Sequence, residues 1–239
     1  VWDSPMIRSN LWALLALVAD RTTTIAVGPG VAVPSLAMAP VTANAIATIN
    51  AIAPGRTFLG VGTGNTALRA MGQVPMGIAD FKEHLKVIRG LISGESVIYE
   101  KNGISEEIAF QSLELNSINL DDPIPMHVSG FGPKAQALAG EYGDSLITGI
   151  PRGGSISGAL ENSNIGATRA DRPMDKFEIY ALVNLMLLRR GETLESPRVL
   201  EEVGSSIMVN IHYMYDRYRE TGAKPPHYAE PVSYTHLRA

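Results

Sequence analysis

The stretch GRTFLGVGTGNTALRAMG (residues 55–72) joins a short apolar run to a cluster of glycines. Residues 58–61 have the composition of a buried β-strand. The residues that follow, Gly62-Thr63-Gly64-Asn65-Thr66-Ala67, form a G-x-G-x-x-A pattern, which is a variant of the dinucleotide fingerprint. The stretch therefore predicts a ligand-binding turn after a strand, on a Rossmann sheet or on another α/β fold.

Strand-like and helix-like segments alternate along the rest of the chain. Short apolar strands are predicted at residues 24–28, 58–61, 123–128, 145–148 and 177–188, with a strand end at residues 1–3. Helices are predicted at residues 11–19, 40–53, 78–93, 134–142 and 196–219, and a hairpin turns at Asn102-Gly103. Strands that are apolar on both faces and alternate with helices indicate a parallel sheet. The count of about six strands compares with eight in a closed (β/α)8 barrel.

The position of the glycine cluster argues against a Rossmann fold. There the fingerprint lies in the first βα unit, and an acidic residue follows about 20 residues later at the end of the next strand. Here two strand–helix units come first, and Asp80 and Glu83 lie on or beside an amphipathic helix. The remaining interpretation, a tight turn without a ligand, suits Gly60 as a close-packing position. It suits residues 62–66 less well, because small hydroxyl side chains beside glycines fit a planar or phosphorylated ligand.

Composition limits the classes of function. The chain has 239 residues, 45% of them hydrophobic, and a net charge of −4, and we expect one domain over residues 1–232. A near-neutral chain argues against nucleic acid or an anionic membrane as a partner. The absence of cysteine excludes disulfides and thiolate metal sites and is compatible with the cytoplasm. No histidine pair has metal-ligand spacing, so no metal site is predicted.

The two ends of the chain lead to separate expectations. The sequence starts at Val1 without a methionine, inside what looks like a strand end. Residues 233–239, SYTHLRA, have no periodic pattern. We expect a truncated chain with a non-native tail at residues 233–239.

Four segments together resemble the luciferase-like monooxygenase superfamily. They are IAVGPGV (residues 25–31), PVTANAIATINAIAPGR (40–56), LGVGTGNTALRAMG (59–72) and IPMHVSGFGPKAQALAGEYGDSLITG (124–149). Their order and spacing are most similar to the branch that uses the deazaflavin coenzyme F420. The resemblance implies an α/β fold, a TIM (β/α)8 barrel that is incomplete here, with strands two to seven visible.

The resemblance also implies a site for F420, or alternatively FMN, at the carboxyl ends of the strands. The residues expected against the ring are Gly28, Gly30, Val31, Gly62, Thr63, Gly64, Asn65 and Thr66. The residues expected around the phosphate are Ser129, Gly130, Phe131, Gly132 and Pro133, with Thr148 and Gly149 closing the same pocket. Backbone N–H groups at the start of the helix after Pro133 favour an anion.

One peptide bond near Gly30 is expected to be cis. Members of the family often have a non-prolyl cis peptide bond at the end of the third strand, and the matching bond here is Gly30–Val31. Pro29 departs from the commoner small residue at that place. It leaves the Gly28–Pro29 bond as the alternative, because a prolyl bond becomes cis more easily.

Asp3 and His127 are the candidate catalytic residues. Asp3 lies at a strand's carboxyl end and suits an acid or base, although capping of the following loop explains it equally well. His127 lies two residues before Ser129, and histidine is the natural proton shuttle near neutral pH, with a packing role as the alternative. Arg152 is a candidate source of positive charge, with a solvated loop arginine as the alternative.

The resemblance implies a flavin- or F420-dependent oxidoreductase that performs hydride transfer or monooxygenation on a small organic substrate. Such chemistry asks little of protein side chains beyond positioning the cofactor and tuning its electronics. The alternatives are a non-catalytic flavin-binding protein or inactive barrel fragment, and, less favoured, an NAD-dependent Rossmann dehydrogenase. For the full-length protein we expect a cytoplasmic homodimer.

Overall fold

A parallel β-sheet with helices packed on one face organises the first part of the molecule. The computed structural model describes residues 1–149, 155–183 and 185–222. The chain divides into two units, Val1–Leu182 and Val183–Ala239. The first unit contains the strands β1 (Leu59–Val61), β2 (Val97–Lys101), β3 (Ile104–Ile108), β4 (Met126–Ser129), β5 (Ser145–Gly149) and β6 (Glu178–Leu182). Its helices are α1 (Leu11–Arg21), α2 (Ala39–Ile52), α3 (Asn65–Ala70), α4 (Ile78–Ile92), α5 (Pro133–Tyr142) and α6 (Ile156–Arg169).

The sheet has the order β1-β4-β5-β6, and every neighbouring pair is parallel. Two single bridges, Val27 with Thr57 and Ala32 with Val61, place residues 27–32 along the other edge of β1. The carbonyl oxygen of Val1 accepts a hydrogen bond from Gly30 N at 2.7 Å, which adds the start of the chain beyond that segment. The order of strand ends from Val1 to Leu182 therefore follows the chain, as in a (β/α) barrel.

The predicted strands at residues 1–3, 24–28 and 177–188 are shorter than the sequence indicates. Residues 1–3 are irregular, residues 24–28 contribute only the bridge at Val27, and β6 ends at Leu182. Pro29 follows Gly28 and has no N–H to donate to a ladder, which limits pairing there. Beyond Leu182 the apolar run continues, but Leu185 is 85% exposed and no strand pairs with this run among the described residues.

The predicted hairpin and most predicted helices are present within one or two residues. β2 and β3 pair antiparallel around Asn102 and Gly103, whose φ angles of 55° and 77° suit a two-residue hairpin turn. Asn10 caps α1 by accepting a hydrogen bond from Ala13 N at 3.0 Å. Helix α3 was not predicted, because its first residues belong to the glycine pattern.

The core lies between the sheet and the helices. Side chains alternate along the strands, so Met126 and Val128 of β4 are buried against the helices while His127 and Ser129 face the opposite, inner side of the sheet. The largest fully buried side chains include Phe81, Leu11, Leu15, Ile46, Leu59, Leu85, Ile88, Leu91, Met126 and Leu146. This arrangement leaves the inner face for smaller and polar residues.

An arginine–aspartate cluster fixes the turn between α5 and β5. Asp144 Oδ2 accepts hydrogen bonds from Arg89 at 2.6 Å and from Met126 N at 2.7 Å, and Asp144 Oδ1 accepts from Arg172 at 3.0 Å. Arg172 also donates to the carbonyl oxygen of Gly143 at 2.6 Å. This end of the sheet is therefore tied together by scaffold contacts, away from the strand ends that carry the glycine clusters.

Among its described residues, the second unit contains the long helix α7 (Pro197–Thr221). Arg198 near its start donates to Glu192 at 2.5 Å and to Glu202 at 3.1 Å. The hydrogen bond from Arg198 is the main reason that the pKa of Glu192 falls to about 2. Across the described residues, no helix combines the length and the apolar character that a membrane crossing requires. The expected domain over residues 1–232 and the tail at 233–239 extend beyond the described residues and stay predictions.

Candidate cofactor site at the strand ends

The carboxyl ends of three neighbouring strand segments meet at Gly62. A Cβ atom added to Gly62 would lie 2.9 Å from Ser129 Cβ and 3.0 Å from Val31 Cγ2. Val31 belongs to the segment beside β1, and Ser129 ends β4, so residues far apart in sequence come into contact here. Parallel α/β sheets place their ligands at this end of the strands.

The cis peptide bond lies at this meeting point. The bond between Gly30 and Val31 is cis, and the bond between Gly28 and Pro29 is trans. From the sequence, either bond could be the cis one, and in the structure it is the non-prolyl bond. Val31 is half-buried and Gly30 is exposed, so the bond borders open space at the strand ends.

The glycines in β1 and in the turn after it make room for the neighbouring segment. A Cβ atom on Gly60 would lie 2.2 Å from the Pro29 carbonyl oxygen, and one on Gly64 would lie 2.3 Å from Val33 Cγ1. Gly64 also has a φ of 80°, which a side chain disfavours. The pattern read as G-x-G-x-x-A therefore has a packing reason of its own, which is the close approach of residues 29–33.

Asp3 holds the end of that segment. Its Oδ2 accepts a hydrogen bond from Val33 N at 2.9 Å. Burial raises the pKa of the Asp3 carboxyl, and the hydrogen bond from Val33 works in the opposite direction. A half-buried carboxyl with a raised pKa is suited to acid–base work, and its backbone contact also gives it a positioning role.

Asn65 and Thr66 start a helix rather than continue an open loop. Helix α3 begins at Asn65 with Gly64 as its N-terminal cap, and Asn65 Oδ1 accepts a hydrogen bond from Arg69 at 2.7 Å. The helix formers in NTALRA were the signal for this helix. Thr63 precedes the helix, and its carbonyl oxygen accepts a hydrogen bond from Met76 N at 3.2 Å.

The SGFGP loop (residues 129–133) joins β4 to α5. Gly130 N donates to the Ile147 carbonyl oxygen at 3.0 Å, and a Cβ atom on Gly130 would lie 2.8 Å from the carbonyl carbon of Ala135. Gly132 caps α5 without a side chain, and Pro133 is the first helical residue. Apart from Gly132 and its two chain neighbours, no heavy atom of the described residues lies within 4 Å of a Cβ atom added to Gly132. The first N–H groups of α5 lack partners within the helix, and such groups favour an anion.

The end of β5 borders the same loop through Gly149. A Cβ atom there would lie 2.9 Å from the ring of Phe131, which is 60% exposed. Thr148 is buried and, by strand alternation with Leu146, its side chain lies on the helix side of the sheet. Arg152 lies outside the described residues.

His127 lies on the inner face of the sheet with residues that the sequence did not single out. Its Nδ1 is hydrogen-bonded to Ser145 Oγ, and its ring makes edge contacts with Phe58 and Tyr180 at centroid distances of 5.1 and 5.2 Å. Burial lowers the pKa of His127, while the charges of Asp144 and Glu178 oppose the decrease. Tyr180 and Glu178 belong to EIYAL, whose two-residue alternation was the available signal.

Comparison with known proteins gives a consistent family. The model of the luciferase-like monooxygenase family matches residues 1–231. The chain is similar to 5,10-methylenetetrahydromethanopterin reductase of Archaeoglobus fulgidus, with 31% identity over 178 residues, 74% of this chain and 52% of that protein. It is also similar to F420-dependent glucose-6-phosphate dehydrogenase of Beutenbergia cavernae, with 30% identity over 177 residues, 69% of this chain and 50% of that protein.

The fold has a counterpart among solved structures. An F420-dependent secondary alcohol dehydrogenase in complex with an F420–acetone adduct matches with a TM-score of 0.60 and 25% identity, over 73% of this chain and 54% of that chain. The expected (β/α) barrel architecture, incomplete in this chain, is thereby confirmed. The chain spans about half the length of the curated relatives it matches.

Proposed function

The chain belongs to the luciferase-like monooxygenase family, and from this premise we propose that it carries the cofactor site of an F420-dependent oxidoreductase, with FMN as the alternative cofactor. The preference for F420 rests on relatives that are named for it, a glucose-6-phosphate dehydrogenase and a secondary alcohol dehydrogenase. The substrate is a small organic molecule, and the reaction is a hydride transfer or a monooxygenation. When bound, either cofactor supplies a ring that accepts or donates a hydride.

The observation that carries the proposal is the contact of three strand ends around Gly62. The cis bond at Gly30–Val31 and the side chain of Ser129 border the same place. Because the residues in this position are small, backbone atoms rather than long side chains line the carboxyl ends of the strands. A planar ring system needs such a surface, because flat aromatic groups bind by close contact over their faces.

The N-terminus of α5 supports a phosphate-bearing cofactor. Its leading N–H groups have no partners within the helix, and the helix dipole favours a negative charge there. Among the described residues, nothing obstructs the side-chain position of Gly132, directly before these donors. In this proposal Asp3 and His127 supply the acid–base groups, and neither needs to be the hydride donor or acceptor.

Titration of the purified full-length gene product with F420 and with FMN, followed by absorbance, tests the proposal. Saturable binding of one of them supports it, and binding of neither overturns it. Turnover of the reduced cofactor with an electron acceptor then separates an oxidoreductase from a non-catalytic flavin-binding protein. The cytoplasmic homodimer belongs to the same proposal, and light scattering measures its oligomeric state.

A matched pair of variants tests the phosphate position. Gly132→Asp places a carboxylate at the N-terminus of α5, and Gly132→Asn places a neutral group of the same shape there. Both side chains cap helices well, so the fold is kept. If FMN binds, we expect Gly132→Asp to weaken FMN at least tenfold relative to Gly132→Asn while riboflavin, which lacks the phosphate, changes little. Equal effects on FMN and riboflavin would show that the phosphate does not bind at this helix.

A further inference from the structure

A polar cluster lies on the inner face of the sheet, below the strand ends. The register places His127 beside Ser145 and Ser145 beside Glu178, so three neighbouring strands each contribute one polar residue to the same row. Gly60 is the partner of His127 on β1 and adds no side chain to this row. Counted from β1, His127 is therefore the first side chain of the row.

The cluster is held together by direct contacts. Ser145 Oγ is hydrogen-bonded to Nδ1 of His127, and the Tyr180 hydroxyl donates a hydrogen bond to Glu178 Oε2. Phe58 and Tyr180 each make an edge contact with the imidazole ring. These contacts fix the orientation of His127 and leave Ser145 as its hydrogen-bond partner among the described residues.

The row lies one side-chain layer below the candidate cofactor site. His127 and Ser129 are two residues apart on β4, and both face the inner side. Two residues of strand span about 7 Å. A charge at the strand ends would therefore act on His127 across a short, partly buried distance, where electrostatic interactions are weakly screened.

We propose that His127 is a proton-accepting residue of this site, neutral while the site is empty and protonated when a negative charge is placed at the strand ends. The inference rests on the proposed function, because a flavin or deazaflavin ring gains negative charge when it accepts a hydride. The proton comes from solvent and bonds to a ring nitrogen of His127, while both electrons of the hydride stay on the ring. The net charge of the site is thereby unchanged by reduction.

The charged and titratable groups around His127 suit this role. Phe58, just before β1, contributes an uncharged ring, β5 contributes Ser145 with Asp144 just before it, and β6 contributes Glu178 and Tyr180. Burial favours the neutral imidazole, and the two carboxylates favour the charged one. Such opposed influences leave the protonation of His127 responsive to one added charge.

The test measures the pKa of His127 itself, without relying on catalysis. Histidine ring resonances of the full-length protein are followed by NMR against pH, with His127→Gln identifying the resonance. The protein is measured empty, with oxidised FMN and with FMN reduced by dithionite. We expect a pKa below 6.5 in the empty protein and an increase of at least one pH unit, a tenfold gain in proton affinity, on reduction of bound FMN.

Two variants test the contributions of the Glu178 carboxylate and the Tyr180 hydroxyl separately. Glu178→Gln removes the neighbouring carboxylate and should lower the pKa of His127 in every state. Tyr180→Phe keeps the ring contact, removes the hydroxyl bonded to Glu178, and should leave the change on reduction in place. A pKa of His127 that is equal with oxidised and reduced FMN, while absorbance shows FMN bound, overturns the inference and leaves the proposed function standing. Failure to bind either FMN or F420 overturns both.

Discussion

Gly60 and Pro29 approach so closely that a Cβ atom on Gly60 would lie 2.2 Å from the Pro29 carbonyl oxygen. The contact joins β1 to the segment that carries the cis bond at Gly30–Val31. Because the obstacle is backbone, it cannot turn away as a side chain would. The arrangement of the strand ends therefore depends on the absence of a side chain at residue 60.

Gly60→Ala should destabilise the protein and disturb the candidate site. Overpacking against backbone costs about 1–3 kcal/mol, and we expect the upper part of that range. Urea unfolding measures the loss, and cofactor titration should show at least tenfold weaker binding. Gly77→Ala is the control, since within the part of the chain that the structure describes its Cβ would meet Asp80 Oδ2 alone, at an ordinary 3.7 Å. Equal stability of the two variants would contradict this account of Gly60.

Gly166→Ala should disrupt the packing of α5 against α6. A Cβ atom on Gly166 would lie 1.7 Å from the Ala137 carbonyl oxygen, and one on Gly140 would lie 1.7 Å from that of Ser163. The two helices thus touch through backbone, and a methyl group must separate them at a cost of about 3 kcal/mol.

Gly158→Ala on the same helix is the matched control for Gly166→Ala. Among the described residues, its Cβ would meet Ser155 Oγ alone, at 3.6 Å. Alanine is the better helix former by about 1 kcal/mol, so this variant should be neutral or slightly more stable. Thermal unfolding of both proteins makes the comparison, and a loss of similar size at residue 158 would show that the close backbone contact at Gly166 is not the reason for the loss there.

Asp144→Asn should weaken the cluster at the turn between α5 and β5. Burial raises the pKa of Asp144, but the charges and hydrogen bonds of Arg89, Met126 N and Arg172 outweigh it, so the net pKa lies below the usual value. Stability from this group is thus present above pH about 4 and is lost as the pH falls through the folded-state pKa. The side chain is 39% exposed, so we expect a loss of about 1–3 kcal/mol at pH 7, in the lower part of that range.

Urea unfolding of the wild type and Asp144→Asn between pH 7 and pH 3 checks this prediction. The difference should begin to shrink below pH 4, as the carboxyl of the unfolded wild type takes up a proton, and should shrink further as the pH falls through the lower folded-state pKa. Glu141→Gln breaks one ion pair with Lys82 and should cost less than about 1 kcal/mol. A constant difference across the pH range would show that charge is not the reason.

His84→Leu should remove a source of acid sensitivity. His84 is buried in α4, and its Nε2 has no hydrogen-bond partner among the described residues. Burial, with a smaller contribution from Lys101, lowers its pKa to about 4. The unfolded state binds the proton more tightly, so stability is full above pH 6.5 and falls as the pH decreases toward 4.

Unfolding free energies at pH 7 and pH 5 measure the contribution of His84. The wild type should lose about 2 kcal/mol from this group between the two pH values. The leucine variant should lack that loss while Asp144 stays ionised in both proteins. Equal losses in the wild type and the variant would show that the imidazole is solvated or paired.

The sequence predicted local structure well where one feature decided it. The Asn10 cap, the apolar period of α4 and the Asn102-Gly103 turn each appear as expected. Helix α3 was missed because its start at Asn65 coincides with a pattern that also describes a ligand loop. The strand predicted at residues 177–188 is longer than the observed one. An apolar run indicates burial, but by itself it does not provide a neighbouring strand to pair with.

The succession of strands and helices was determined by the sequence itself, through local propensities, and the order and spacing of its glycine motifs carried the family resemblance. Only the tertiary structure decided that the cis bond is Gly30–Val31, and that Gly60, Gly62 and Gly64 accommodate residues 29–33. It also placed His127 beside Ser145 and Tyr180. The physical reason is that these contacts join segments distant in the chain, and the sheet register that sets them is fixed by the packing of the whole sheet.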